Sequence, residues 1–276
     1  MEAHTLQDRP ISPLLRHKSP DEPSVFSPDA LLREGRRQKG LASAQVPETC
    51  VLDPDGDIVR RLRRKGTSRL STTWPCYHSE LDIFALDGRE VGIIGCAVGA
   101  PYAVLVAEEL FAAGCKLLIS VTSAGQIAAV GRAPYFILIE RALRDEGTSH
   151  HYAPPGDYAE ADPELIARAR HALGAKTRDV HVGATWTTDA PFRETASAIA
   201  AAKARGILAV EMEAAALYAF ARARQKTVLC LAHVTNAMGQ HGDDFEKGLE
   251  DGTAEALELL SVLRRGLAGS GSPSVK

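Results

Sequence analysis

The sequence predicts one α/β domain built on a central sheet flanked by helices. Apolar runs of strand length alternate with longer segments of helical periodicity over most of the chain. Helix punctuation falls between them: Gly114, Gly174 and Gly206 follow three helical segments, and Asp162-Pro163 opens the second of these. No repeat of fixed period and no internal linker divides the 276 residues, a length that one large domain accommodates.

In chain order, residues 1–30 are rich in Pro, Ser and charge and are expected to form a loose or wrapped arm. Pro28 to Lys39 reads as a short basic helix with Asp29 near its start. Thr49 to Leu52 reads as the first core strand, and a basic stretch from Arg60 to Arg69 follows. Val91 to Cys96 is a strand and Tyr102 to Ala113 a helix. Lys116 to Val121 and Tyr135 to Glu140 are strands, and Asp162 to Leu173 is a helix. Val180 to Thr187 is a strand, and Glu194 to Arg205 is an alanine-rich helix. Ile207 to Val210 is a strand running into the helix Ala214 to Arg224. Thr227 to Val234 is the last strand, and Phe245 to Leu263 a long amphipathic helix. Gly266 to Lys276 is a Gly/Ser-rich tail expected to be disordered.

Composition narrows the function. A formal charge of −3 gives no reason to expect nucleic acid or an anionic membrane as partner. The longest apolar run, Val91 to Ala107, is broken by glycines and Pro101, so no membrane span is expected. The N-terminus lacks the apolar core of a signal peptide, and a cytoplasmic location is expected. Five scattered cysteines have no CxxC spacing. Cys96, Cys115 and Cys230 lie in apolar surroundings and are expected to be buried thiols. His150-His151 and His241-Gly242-Asp243-Asp244 lack ligand spacing, so no metal and no cofactor is expected. Asp243 or Asp244 suits a helix cap. The GxGxxG pattern around Gly95 is incomplete, and no Gly-x-Ser-x-Gly elbow is present.

The densest chemistry lies in Val210-Glu211-Met212-Glu213-Ala214-Ala215-Ala216, where two carboxylates stand at a helix entrance. They can bind vicinal hydroxyls or complement the helix dipole. Gly56-Asp57-Ile58-Val59-Arg60 and Gly95 to Pro101 are glycine-containing turns after strands, where backbone N–H groups can approach an anion.

These segments, with Ser123-Ala124-Gly125 and Gly183 to Phe192, resemble in order the motifs of the nucleoside phosphorylase superfamily. That superfamily includes uridine phosphorylases, purine nucleoside phosphorylases and nucleosidases. The resemblance covers residues 47–265, leaving 1–46 as arm and 266–276 as tail. It implies a central mixed sheet, a homo-oligomer, and a nucleoside and phosphate as small-molecule partners. The implied reaction is phosphorolysis of a purine or pyrimidine nucleoside to free base and ribose 1-phosphate. Hydrolysis by water and nucleoside binding without turnover are the alternatives.

By the same resemblance, phosphate rests near Arg60, Gly99 and Ser123, ribose on Met212 and Glu213, and the base near Phe192, Arg193 and Asn236. Glu213, Asn236 and Arg60 are the expected catalytic residues. Glu211 is expected to contact the sugar or orient the loop. Thr122 joins Ser123 among the substrate-binding residues, although the family has glycine at Thr122. Ser120 stands where uridine-type enzymes carry an arginine, which removes a charge-assisted contact to phosphate. Arg64 or Arg69 is a candidate replacement, and Asp57 is expected to fix Arg60 or its loop. Asn236 stands where purine-specific relatives place an aspartate, and it can donate but cannot act as a general acid. Competing readings give Asn236 a turn-closing role, Asp189 a capping role before a helix near Phe192, and His233 and Trp186 places in the core.

Overall fold

The computed structural model describes residues 12–174, 180–236 and 247–267. Strand β5 (Leu117–Gln126) runs through its centre, and residues 117–122 are all buried. An unbroken buried run of this kind suits a strand covered on both faces. β5 pairs in parallel with β1 (Thr49–Asp53) and with β10 (Thr227–Asn236). β4 (Arg89–Gly95) extends the sheet in parallel beyond β1. β3 (Asp82–Leu86) and β2 (Ser68–Leu70) complete that side antiparallel.

On the other side, β10 pairs antiparallel with β6 (Tyr135–Asp145). β8 (Val180–Thr188) and β9 (Ile207–Glu211) follow in parallel. β9 then returns to the far end of β5, setting Val210 opposite Gly125. β5, β10, β6, β8 and β9 thus close a ring within the sheet. β7 (Tyr158–Glu160) adds to β6. The carboxyl ends of β1, β4, β5 and β10 open on one edge, the place where open α/β sheets bind ligands.

Helices α1 (Pro28–Lys39), α2 (Asp57–Arg64), α3 (Ala100–Ala112), α4 (Pro163–Leu173), α5 (Ala196–Ala204), α6 (Ala214–Arg224) and α7 (Thr253–Leu267) flank the sheet. In α6, residues 214–221 are all buried, and its alanines let it lie close to α3 and the sheet. Its buried Tyr218 hydroxyl donates to the Ile139 carbonyl at 2.6 Å and accepts the Cys230 N–H at 3.0 Å. The polar end of a large core residue is thereby satisfied.

Some sequence expectations need correction. α7 begins at Thr253 rather than Phe245, because Glu250 and Asp251 adopt left-handed φ values of 49° and 60° just before it. Phe245 lies outside the described residues. α7 also continues to Leu267, past the expected start of the tail at Gly266. Cys96 is exposed rather than buried, at φ 61° in the turn after β4; the other four cysteines are buried. Thr195, not Asp189, caps the helix after the 191–193 turn, and Asp189 accepts the Gly147 N–H at 2.8 Å. β5, β6 and β10 run longer than their apolar runs indicate, since polar residues continue each ladder. α2 hides its buried face, Ile58, Val59 and Leu62, among arginines. No described helix is long and apolar enough to cross a membrane.

Candidate active site

Glu211 ends β9 and Glu213 is the N-cap residue of α6. They are only 3% and 1% exposed. Glu211 Oε1 accepts the hydroxyls of Thr185 at 3.0 Å and Thr187 at 2.5 Å. Its Oε2 accepts the N–H groups of Glu213 and Ala214, both at 2.7 Å. With four donors around it, Glu211 orients the loop and satisfies free N–H groups at the start of α6.

Glu213 draws three chain segments together. Its Oε1 accepts the Gly99 N–H at 2.7 Å from the turn before α3. Its Oε2 accepts the Thr122 hydroxyl at 2.8 Å from β5. Gly99 presents that N–H at φ 87°, a conformation other residues rarely adopt. Burial lifts the Glu213 carboxyl to about 8, and the nearby Glu211 adds to the rise. The bonds from Gly99 and Thr122 act in the opposite direction. Burial raises Glu211 as well. Met212, between the two, is half-buried.

The turn from β1 to α2 carries three aspartates. Asp53 Oδ2 accepts the Val59 N–H at 2.9 Å, and its carbonyl accepts Gly56 N–H at 2.8 Å and Cys96 N–H at 3.0 Å. Gly56 turns the chain at φ 76°, and a Cβ there would lie 2.7 Å from Cys96 Sγ. Burial raises Asp53 to about 7, and the charges of Asp55 and Asp57 add to that. Asp57 pairs with Arg60 and with Lys247, the latter at 2.5 Å. Burial pushes Asp57 up, but the two cations outweigh it and hold its carboxyl below the usual value. Arg60 is therefore fixed by Asp57, as the sequence suggests, and its side chain is 57% exposed.

Ser123 has a partner that the sequence reading missed. Its N–H donates to Asp55 Oδ2 at 3.1 Å and its hydroxyl to Asp55 Oδ1 at 3.0 Å. The sequence signal was present: three acidic residues in five positions of a turn otherwise suited to an anion. Ser120, three residues earlier on β5, is buried, and its Oγ has no hydrogen-bond partner among the described residues. A cavity of about 20 Å³ lies beside Ser123, lined by Asp53, Asp55, Asp57, Thr122, Ser123 and His233 among others, and Ser120 is not part of its lining.

The remaining predicted residues are more dispersed. Asn236 is half-buried at the end of β10, where its amide donates to Thr235 Oγ1 at 3.2 Å. Phe192 is 99% exposed, and Arg193 is exposed beside it on the Pro191–Arg193 turn. Neither lines the cavity at Ser123. Arg69 pairs with Glu90, away from that cavity. His233 stacks on Phe136 with ring centroids 4.4 Å apart, and burial lowers it to about 4. Trp186 is buried and donates to Asp145 at 2.9 Å, a core role. His241, Asp243 and Asp244 lie outside the described residues.

Residues 50–265 match the family model described as the phosphorylase superfamily. This chain belongs to the phosphorylase superfamily. It is 27% identical over 175 residues to a guanosine phosphorylase of Halorubrum lacusprofundi, spanning 62% of this chain and 73% of that protein. It is 30% identical over 182 residues to a DeoD-type purine nucleoside phosphorylase of a Jannaschia species, spanning 62% and 76%. The crystal structure of uridine phosphorylase from Vibrio fischeri ES114 matches with a TM-score of 0.69 at 22% identity. That match covers 84% of this chain and 96% of the other. It establishes for this superfamily member the mixed α/β fold described above.

Proposed function

We propose that this chain cleaves the N-glycosidic bond of a nucleoside and releases the free base. The observation that carries the reading is Glu213, a buried carboxyl group held by Gly99 and by Thr122 of β5. A sugar 2′-hydroxyl that takes the place of the Thr122 hydroxyl donates to Glu213, and this bond tightens as the sugar gains oxocarbenium character. Met212 lies under the sugar, and Asn236 is the base-side donor. Phe192 and Arg193 belong to the exposed rim of the same proposal.

Water is the acceptor this geometry supports best. The donors of Ser123 already serve Asp55, Arg60 already serves Asp57, and Ser120 supplies no charge. In this step the oxygen of water bonds to the anomeric carbon. The C–N bond breaks and its electron pair stays with the base nitrogen. One water proton passes to Asp55, and the base nitrogen takes a proton from solvent. The products are ribose and free base.

Phosphorolysis to ribose 1-phosphate is the second reading. The Gly56 turn with Arg60 favours it, as do relatives named phosphorylases.

The test is chromatography of free base after incubation with a panel of purine and pyrimidine nucleosides, with and without phosphate. Release of base from any of them supports the proposal. Nucleoside binding without release in either buffer overturns it in favour of a sensing role.

A further inference from the structure

Asp55 places a fixed negative charge where the loop chemistry would otherwise receive an anion. Its two carboxylate oxygens take the N–H and the hydroxyl of Ser123 at 3.1 and 3.0 Å. A backbone N–H paired with an adjacent hydroxyl at the carboxyl end of a strand is a donor set suited to one oxyanion. Here the oxyanion belongs to the chain itself.

The surroundings reinforce this. Asp53 and Asp57 line the same cavity. Among the described residues, Arg60 and Lys247 both pair with Asp57, and no cation is seen bonded to Ser123. The cavity of about 20 Å³ exceeds the roughly 10–15 Å³ that one water requires and has polar groups on several sides. A tetrahedral oxyanion would meet like charge there at short range.

We propose that Asp55 is the residue that selects the acceptor: it occupies the anion position at Ser123, admits water and excludes phosphate. The inference rests on the proposed nucleoside cleavage only where products are read. Its binding arm is independent of that reading.

The experiment compares the wild-type chain with Asp55→Ala and Asp55→Asn. Phosphate binding is first titrated without nucleoside, by calorimetry or by phosphorus NMR line broadening, with sulfate as a second probe. The wild type is expected to show no saturable binding. Asp55→Ala frees both Ser123 donors and should bind phosphate at least about tenfold more tightly than the wild type. Asp55→Asn keeps the shape without the charge and should fall between them. It also serves as the reading if the alanine variant fails to fold by circular dichroism.

In the second arm, sugar products are separated at fixed phosphate. The wild type should give ribose. The Asp55 variants should lose ribose formation and gain ribose 1-phosphate. Wild-type phosphate binding as tight as that of both folded variants overturns the proposal. So does abundant ribose 1-phosphate from the wild type. Absence of base release from every protein would instead sink the proposed function and leave the phosphate titration to decide the role of Asp55.

Discussion

Glu211 holds Glu213 in place through the backbone: its Oε2 accepts the Glu213 N–H at 2.7 Å, while the Glu213 side chain turns away to Gly99 and Thr122. The two carboxylates of one short motif therefore divide their work. Glu211 fixes the junction of β9 and α6, and Glu213 ties that junction to the Gly99 turn and to Thr122 on β5.

This division predicts unequal effects on activity. Glu213→Ala should lower kcat/KM for base release on the order of a hundredfold, with the fall in kcat as well as in affinity. Steady-state kinetics on the best nucleoside of the panel reads this. A variant with unchanged kcat and only a raised KM would show that Glu213 binds the sugar without assisting its cleavage.

Removing a donor to Glu211 should act on stability instead. Thr187 donates to Glu211 and accepts the Ala215 N–H at 2.9 Å, so Thr187→Val strips partners from two buried groups. The expected loss is about 1–3 kcal/mol in denaturant unfolding. A loss below half of the lower bound would mean that the remaining donors to Glu211 suffice.

Glu213 also makes stability depend on pH. Its carboxyl is raised to about 8 from an ordinary 4.5 because it is buried, first, and because Glu211 is near. The folded chain thus holds this proton more tightly than the unfolded chain. The stability it contributes is complete below about pH 4.5 and is lost as pH rises through about 8. Glu213→Gln cannot ionise and keeps the shape. Its melting temperature should fall less than that of the wild type across this window, with an advantage on the order of a few kcal/mol at the alkaline end. Parallel curves for the two proteins would contradict the assignment.

Arg60 separates the two acceptor readings. It is exposed and paired with Asp57, which keeps Lys247 as a second partner. Arg60→Ala should cost no more than about 1 kcal/mol in stability. If water is the acceptor, base release should change less than about threefold. A loss of two orders of magnitude or more, confined to phosphate buffer, would favour phosphorolysis.

Most of the architecture was legible because burial imposes a period and glycines mark the ends of elements. Val91 to Cys96 and Thr227 to Val234 read as strands for that reason. The ring closed by β9 on β5 was not legible, since pairing between Val210 and Gly125 depends on sequence-distant register. α2 was missed because its arginines mask a narrow apolar face. At the site, the Glu211-Met212-Glu213 segment announced itself, but the separate tasks of its two carboxylates required the positions of Thr122, Thr185 and Thr187. Asp55 was passed over because nothing in the local pattern links it to Ser123, 68 positions away in the chain. Its bonds to Ser123 become visible only in the folded chain.

The measurement that tests the account most directly is the rate of base release at one enzyme concentration, with and without phosphate. The account predicts turnover in phosphate-free buffer, an unchanged rate when phosphate is added, and ribose as the sugar product. Turnover that appears only with phosphate, together with ribose 1-phosphate, would contradict it.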